Sequence, residues 1–115
     1  MILPDKVKIG GHWYYVKFPY IFQERHDRNG QIDHDKCIIY ITAKDGNGEY
    51  RADSAIMETF IHEVLHGLNY RCGEMLFDKN QDKMEDQISA LGESVFAFLV
   101  DNGWFEVFKK ETVNN

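Results

Sequence analysis

Residues 54–72 read SAIMETFIHEVLHGLNYRC, and this stretch decides the fold that we expect for the chain. Its apolar residues recur at the spacing of an amphipathic helix. They are Ile56, Phe60, Ile61, Val64, Leu65 and Leu68. Asp53 and Ser54 offer side-chain oxygens for an N-cap, and Gly73 is typical of the position that follows a helix. We therefore predict a helix from about Ser54 to about Cys72.

The centre of this segment is the run His62-Glu63-Val64-Leu65-His66, an H-E-x-x-H pattern. Residues four apart lie on the same face of a helix, so both imidazoles can reach one metal ion. Glu63 is placed to accept a proton from a water molecule on that ion. We predict His62 and His66 as metal ligands and Glu63 as the catalytic base. The alternative is an ordinary amphipathic helix that carries two histidines.

A catalytic zinc ion usually has three protein ligands, so a third must come from elsewhere in the chain. A second helix is predicted from about Asp82 to the Asn102-Gly103 pair. Its apolar stripe consists of Met84, Ile88, Leu91, Val95, Phe98 and Leu99. Glu85 lies at the edge of that stripe, where an unpaired carboxylate would be costly, so we choose it as the third ligand and keep Glu93 in reserve. Asp82 and Glu85 also fit a capping box, which is the alternative role for Glu85.

The first half of the chain has the pattern of a small sheet. Val7–Ile9 and His12–Phe18 flank Gly10-Gly11, which predicts a hairpin. Lys36–Thr42 is the best strand candidate, and residues 43–52 are expected to form an exposed loop. With the two helices, these elements predict an α+β fold. The aromatic tail from Trp104 to Phe108 fits either a helical turn or an added strand.

The composition excludes several classes of protein. For 115 residues, one domain spanning 1–115 is the default, and a hydrophobic content of 43% is enough for a packed core. A net charge of -6 with scattered basic residues argues against a nucleic-acid partner. No apolar run has membrane-spanning length, and no secretory signal follows Met1. The two cysteines are too few for a disulfide framework, so we expect a cytoplasmic protein and leave its oligomeric state open.

Five further residues near the predicted site carry weaker expectations. Gly67, which lacks a side chain, is expected to leave room for a substrate or for a crossing strand, and the alternative is a tolerated helix glycine that costs about 1 kcal/mol relative to Ala. Asn69 follows His66 by three residues and His34 precedes the best strand candidate, so either side chain can approach the metal, although exposure to solvent is favoured for both. Cys37 is predicted to pack within a strand, and Cys72 to pack in the core.

Three segments together resemble a known family of metallopeptidases. The first is Gly30-x-x-Asp33 leading into Ile38-Ile39-Tyr40-Ile41, and the second is Thr59–Leu68, which contains the H-E-x-x-H run. The third is Glu85-Asp86-Gln87-Ile88-x-x-Leu91, continuing to Asp101-Asn102. The chain is similar to small phage or bacterial domains of the ImmA/IrrE-like group, with SprT-like domains as broader relatives. The matching segments cover a little over half of the chain, and the H-E-x-x-H core is the specific part.

This resemblance implies a minimal zincin fold. A small, mostly antiparallel sheet would pack on the H-E-x-x-H helix, and a second C-terminal helix would back it. His62 and His66 would bind Zn²⁺, Glu63 would be the general base, and an acidic residue on the later helix, Glu85 or its neighbour, would be the third ligand. The chain departs from the family in having no recognisable helix-turn-helix partner domain, so a regulatory role in cleaving a repressor is not implied.

Two main functions follow from these patterns. The first is a zinc-dependent metallopeptidase that cleaves a peptide or protein substrate, with Ile38–Thr42 binding an extended peptide if it is an edge strand and Tyr40 or Tyr70 stabilising the oxyanion. The second is a non-catalytic zinc-binding accessory or interaction protein, which a fourth ligand at His34 or Cys72 would favour. A metal-free interaction module is a lesser possibility.

Overall fold

The computed structural model describes residues 3–23 and 27–104. Within these ranges, four strands precede two helices. They are β1 (Lys6–Ile9), β2 (His12–Lys17), β3 (Gly30–Asp33), β4 (Ile38–Ile41), α1 (Asp53–Arg71) and α2 (Gln81–Asp101). The strands form one sheet in the order β1-β2-β4-β3. Residues 105–115 lie outside the described part of the chain, so both interpretations of the aromatic tail stay predictions.

The hairpin predicted around Gly10-Gly11 is confirmed. β1 and β2 pair in antiparallel fashion, with Ile9 opposite His12. Both turn residues have positive φ, 57° for Gly10 and 83° for Gly11, a conformation that glycine adopts without the steric penalty of a Cβ atom. The turn residues therefore determine the first pairing of the sheet.

β4 lies inside the sheet, between β2 and β3. It pairs in parallel with β2, where Tyr15 is opposite Ile38, and antiparallel with β3, where Ile32 is opposite Ile39. The sheet is therefore mixed, and the α+β class is confirmed. The strand considered for binding a peptide along its edge is not an edge, because both of its sides are paired. The edges of the described sheet are β1 and β3, and the sequence of β3, GQID, has no alternating apolar pattern.

One face of the sheet packs against α1, which contacts β1, β3 and β4. The buried core is formed by Leu3, Ile9, Tyr14, Ile39, Ile41, Ile56, Met57, Phe60, Ile61, Leu65 and Ile88. Gly67 allows the sheet to approach the helix. A Cβ atom there would lie 3.0 Å from Cδ1 of Ile9 and 3.2 Å from Cδ1 of Ile32. Of the two expectations for Gly67, the structure shows the crossing strand.

α2 begins at Gln81, and Asn80 is its N-cap. The backbone N–H of Lys83 donates to Oδ1 of Asn80 over 3.1 Å, which satisfies one of the unpaired amides of the first turn. The predicted capping box of Asp82 and Glu85 is therefore wrong. Such a box requires Asp82 as the N-cap, whereas the N-cap is Asn80, two residues earlier. The side chain of Glu85 therefore does not cap α2 and is available as a metal ligand.

The apolar stripe predicted for α2 is only partly buried. Ile88 and Gly92 are the buried residues of this helix, whereas Leu91 and Phe98 are exposed. Because α2 packs against α1 and against no other described helix or strand, only one narrow face of α2 is buried. Neither described helix combines the length and apolar character needed to cross a membrane.

Candidate metal centre

α1 presents two imidazole rings to one point in space. His62 and His66 are one helical turn apart, with ring centroids 4.9 Å apart and Nε2 atoms 3.2 Å apart. Both side chains are largely shielded from solvent. The rings therefore face each other as the four-residue spacing predicts.

Glu85 reaches the same point from α2. Its Oε2 atom lies 3.1 Å from Nε2 of His62, and its Oε1 atom lies 2.9 Å from Nε2 of His66. Ile88, three residues later on the same helix, is fully buried and holds this part of α2 against α1. His62, His66 and Glu85, which we call the ligand cluster, are close enough to bind one metal ion.

The three short contacts of the ligand cluster cannot all be hydrogen bonds. Each Nε2 atom carries at most one hydrogen and an ionised carboxylate carries none, so the two rings supply at most two hydrogen bonds. One cation at the centre would satisfy the lone pairs of both nitrogens and of the carboxylate. Burial and the nearby His62, opposed by Glu85, lower the pKa of His66, which favours the neutral ring that a metal requires. The donors therefore fit a cation better than a network of protons.

The spacing of the donors also suits one divalent metal ion, of which zinc is an example. In a tetrahedral site with bonds of about 2.0–2.1 Å, neighbouring ligand atoms are about 3.3 Å apart. The contacts of 2.9, 3.1 and 3.2 Å within the ligand cluster are close to that spacing. Among the described residues, no fourth His, Cys, Asp or Glu joins this group. Three protein ligands with one open position are typical of a catalytic zinc site.

Glu63 lies beside the ligand cluster, in the gap between α1 and β3. Its side chain is buried, and a Cβ atom added to Gly30 would come within 3.0 Å of its Oε2 atom. Burial and the negative charge of Glu85, opposed by Arg28, raise the pKa of Glu63 from about 4.5 to about 8. A carboxyl group with a pKa near neutrality can both accept and release a proton at physiological pH.

The ligand cluster opens into a cleft of about 670 Å³. α1 forms its floor, β3 forms one wall, and the beginning of α2 forms the other. The residues of the β3 wall include Gly30, Gln31, Ile32 and His34. Of the two tyrosines considered for the oxyanion, Tyr70 lines this cleft, whereas Tyr40 packs against Tyr20 with ring centroids 4.6 Å apart.

Several weaker expectations are wrong. His34 is half-buried in the wall of the cleft instead of exposed, and Asn69 is buried, where its Oδ1 atom accepts a hydrogen bond from the Leu76 amide. Cys72 is exposed at the C-cap of α1, where its Sγ atom donates to the backbone oxygen of Asn69 over 3.3 Å. Cys37 packs against the core as expected, but it precedes β4 with a φ of 56°, so it belongs to a turn and not to a strand. Glu93 is exposed and lies outside the ligand cluster.

Sequence reasoning did not identify Gly30, Arg28 or Arg71 as parts of the site. Gly30 and Arg28 border Glu63, and Arg71 holds the cleft wall through His34. An Asn-Gly pair such as Asn29-Gly30 predicts a turn, but it carries no information on which helix that turn approaches. These roles depend on long-range contacts that local patterns do not encode.

A scan against models of protein families, a search of curated proteins and a search of solved structures each found no match. A functional interpretation therefore depends on the chain's own residues. The strongest of these observations is the approach of three metal-binding side chains to one another beside a buried carboxyl group.

Proposed function

We propose that this chain is a zinc-dependent metallopeptidase of the zincin type, similar to the ImmA/IrrE-like group. The main support is the position of buried Glu63 next to the ligand cluster. A purely structural zinc site is usually closed by four protein ligands and has no use for a base. Three ligands beside a carboxyl group of raised pKa are better suited to hydrolysis than to a structural role.

Zn²⁺ bound by the ligand cluster would polarise the scissile carbonyl and lower the pKa of a coordinated water from about 15.7 toward 7. His62 and His66 supply neutral nitrogen donors, and Glu85 neutralises part of the positive charge. Glu63 accepts a proton from the attacking water and passes it to the leaving amine. Because Glu63 is buried, bulk water has little access to that proton.

The proposed substrate is an extended segment of peptide. β3 is the edge of the sheet on the side of the cleft, and within the described chain it pairs only with β4. Its unpaired backbone groups are suited to binding a peptide as an added strand. Gly30, Gln31 and Ile32 line the cleft beside Glu63, so such a strand would pass the ligand cluster.

The proposal is tested by measuring zinc content and proteolysis together. We expect one equivalent of zinc in protein purified without a histidine tag, and its loss in His62→Ala. Casein, an unfolded protein, serves as the substrate. Glu63→Gln should keep the zinc and lose cleavage, whereas Glu49→Gln, in an exposed loop, should keep both. Full proteolysis by Glu63→Gln would disprove the mechanism, and failure to bind supplied zinc at neutral pH would disprove the site.

A further inference from the structure

A network of polar side chains lies next to the ligand cluster and connects the core to the cleft. Tyr14 is fully buried in β2, and its hydroxyl oxygen accepts a hydrogen bond of 2.8 Å from Nε of Arg71. The same hydroxyl lies 3.3 Å from Nδ1 of His34. A second nitrogen of Arg71, Nη2, donates to the backbone oxygen of His34 over 2.8 Å. Arg71 thus fixes both Tyr14 and the backbone of His34.

The direction of these hydrogen bonds determines where His34 carries its hydrogen. Arginine only donates, so the Tyr14 oxygen is an acceptor toward Arg71 and its own hydrogen needs a different partner. Nδ1 of His34 is the acceptor within reach. Neutral His34 therefore carries its hydrogen on Nε2. Burial, with the nearby charge of Arg71, lowers the pKa of His34, so the ring is neutral at physiological pH.

The ring of His34 is also held in one orientation. It stacks on Tyr70 with centroids 4.1 Å apart and an angle of 3° between the planes. Nδ1 faces the buried hydroxyl of Tyr14 and His34 lines the cleft, so we expect Nε2, which points away from that hydroxyl, to face the cleft. The result is a fixed N–H donor at the wall of the cleft.

The distance of this donor from the ligand cluster indicates which part of a bound peptide it would contact. Tyr70 follows His66 by four residues, which is about 6 Å along α1. An extended peptide advances about 3.4 Å per residue, so it would pass His34 about two residues away from the ligand cluster. A neutral N–H donor at that distance suits a peptide carbonyl oxygen.

We infer that His34 is a substrate-positioning residue that donates a hydrogen bond from Nε2 to a backbone carbonyl about two residues from the scissile bond. This inference rests on the proposed peptidase function. Arg71 and Tyr14 set its tautomer, and Tyr70 sets its orientation. His34 contributes to binding and takes no part in the proton transfers of hydrolysis.

The tautomer is tested without any substrate. Nitrogen NMR of the imidazole rings should show His34 protonated on Nε2 in the zinc-loaded protein and in the zinc-free protein. Tyr14→Phe, which removes the donor to Nδ1, should give a mixture of tautomers. Tyr15→Phe, the exposed neighbour, should leave the wild-type signal unchanged. A proton on Nδ1 of the wild type would overturn the inference.

Positioning is tested with mixed-sequence peptides of about eight residues, blocked at both ends. A neutral hydrogen bond contributes about 0.5–1.5 kcal/mol, so His34→Phe should raise KM by roughly 2- to 12-fold and leave kcat almost unchanged. Phenylalanine can keep the stack on Tyr70, and His34→Gln, which retains an N–H donor, should recover part of the loss. His12→Phe on the exposed hairpin is the matched control. Peptides with one residue on each side of the scissile bond should be insensitive to both His34 variants.

A binding assay separates this inference from the proposed function. The affinity of zinc-loaded Glu63→Gln protein for the same peptides should fall by the same factor when His34→Phe is added. If wild-type protein cleaves nothing, the peptidase proposal fails, and an effect of His34→Phe on affinity would then show only that His34 binds peptide, without the role relative to a scissile bond. If cleavage occurs and His34→Phe changes neither KM nor affinity, or lowers kcat on short peptides, the role of His34 is wrong and the peptidase proposal stands.

Discussion

Gly30 and Glu63 lie so close together that a Cβ atom on Gly30 would stand 3.0 Å from Oε2 of Glu63. The same atom would be 2.6 Å from the Cγ2 methyl of Thr59, a distance that requires a shift. Gly30 does not have a positive φ, so its importance comes from the space it leaves. The start of β3 and Glu63, the proposed general base, are therefore packed as one unit.

The first prediction concerns this contact. Gly30→Ala should displace Glu63 or β3 and reduce kcat/KM by about 10- to 100-fold, because a displacement of about 1 Å at the reacting groups has an effect of that size. Zinc content should stay at the wild-type level, since the ligand cluster is not touched. Gly92→Ala is the control, because its Cβ would meet Cδ1 of Leu65 at an ordinary 3.8 Å. Equal activity in the two variants would contradict the prediction.

The second prediction distinguishes the two carboxylates considered as third ligand. Loss of a residue that merely supports a ligand lowers metal affinity by about 10- to 100-fold, so Glu85→Gln should weaken zinc binding by at least about 100-fold. Glu93→Gln should leave it unchanged, because Glu93 lies outside the ligand cluster. Competition with a chromogenic chelator measures both affinities. A larger loss of zinc affinity in Glu93→Gln than in Glu85→Gln would contradict the prediction and indicate Glu93 as the third ligand.

The third prediction is a dependence of stability on pH in the zinc-free protein. Glu63 titrates near 4.5 in an unfolded chain and at about 8 in the folded one. Between these values the folded state binds the extra proton, so the free energy of unfolding should fall as pH rises through this window and level off above about 8. Across the window the contribution is roughly 3–5 kcal/mol.

The pH dependence is measured by urea unfolding of zinc-free wild-type and Glu63→Gln protein between about pH 5 and 9. The contributions of groups other than Glu63 are common to both proteins and cancel in the difference. Glu63→Gln should therefore lack the fall that the wild type shows. Parallel curves for the two proteins would mean that Glu63 is not held protonated in the zinc-free fold.

The fourth prediction is that zinc stabilises the fold. A ligand at about 100 times its Kd adds about 2.7 kcal/mol to the free energy of unfolding when it binds only the native state. The melting temperature of the wild type should therefore rise with added zinc and fall with a chelator. His66→Ala should show neither shift, while His12→Ala should behave as the wild type. An equal shift in His66→Ala would indicate that zinc binds elsewhere.

The helices and the two histidines could be predicted from the sequence because their signals are local. The spacing of His62 and His66 alone places both rings on one face, and the edge of an apolar stripe indicated Glu85. The order of the strands could not be predicted in this way. β3 is polar and short, and only its pairing with β4 identifies it as a strand. The half-buried position of His34 depends on Arg71, which lies 37 residues away in the chain.

α2 packs against α1 and against no other described helix or strand, yet it carries Glu85. An ion bound by the ligand cluster would therefore cross-link α1 and α2, in addition to its proposed role in hydrolysis. Chelation should loosen the amides of α2 toward hydrogen exchange before those of the sheet. In this chain, the supply of metal would strengthen the docking of α2 as well as support the proposed catalysis.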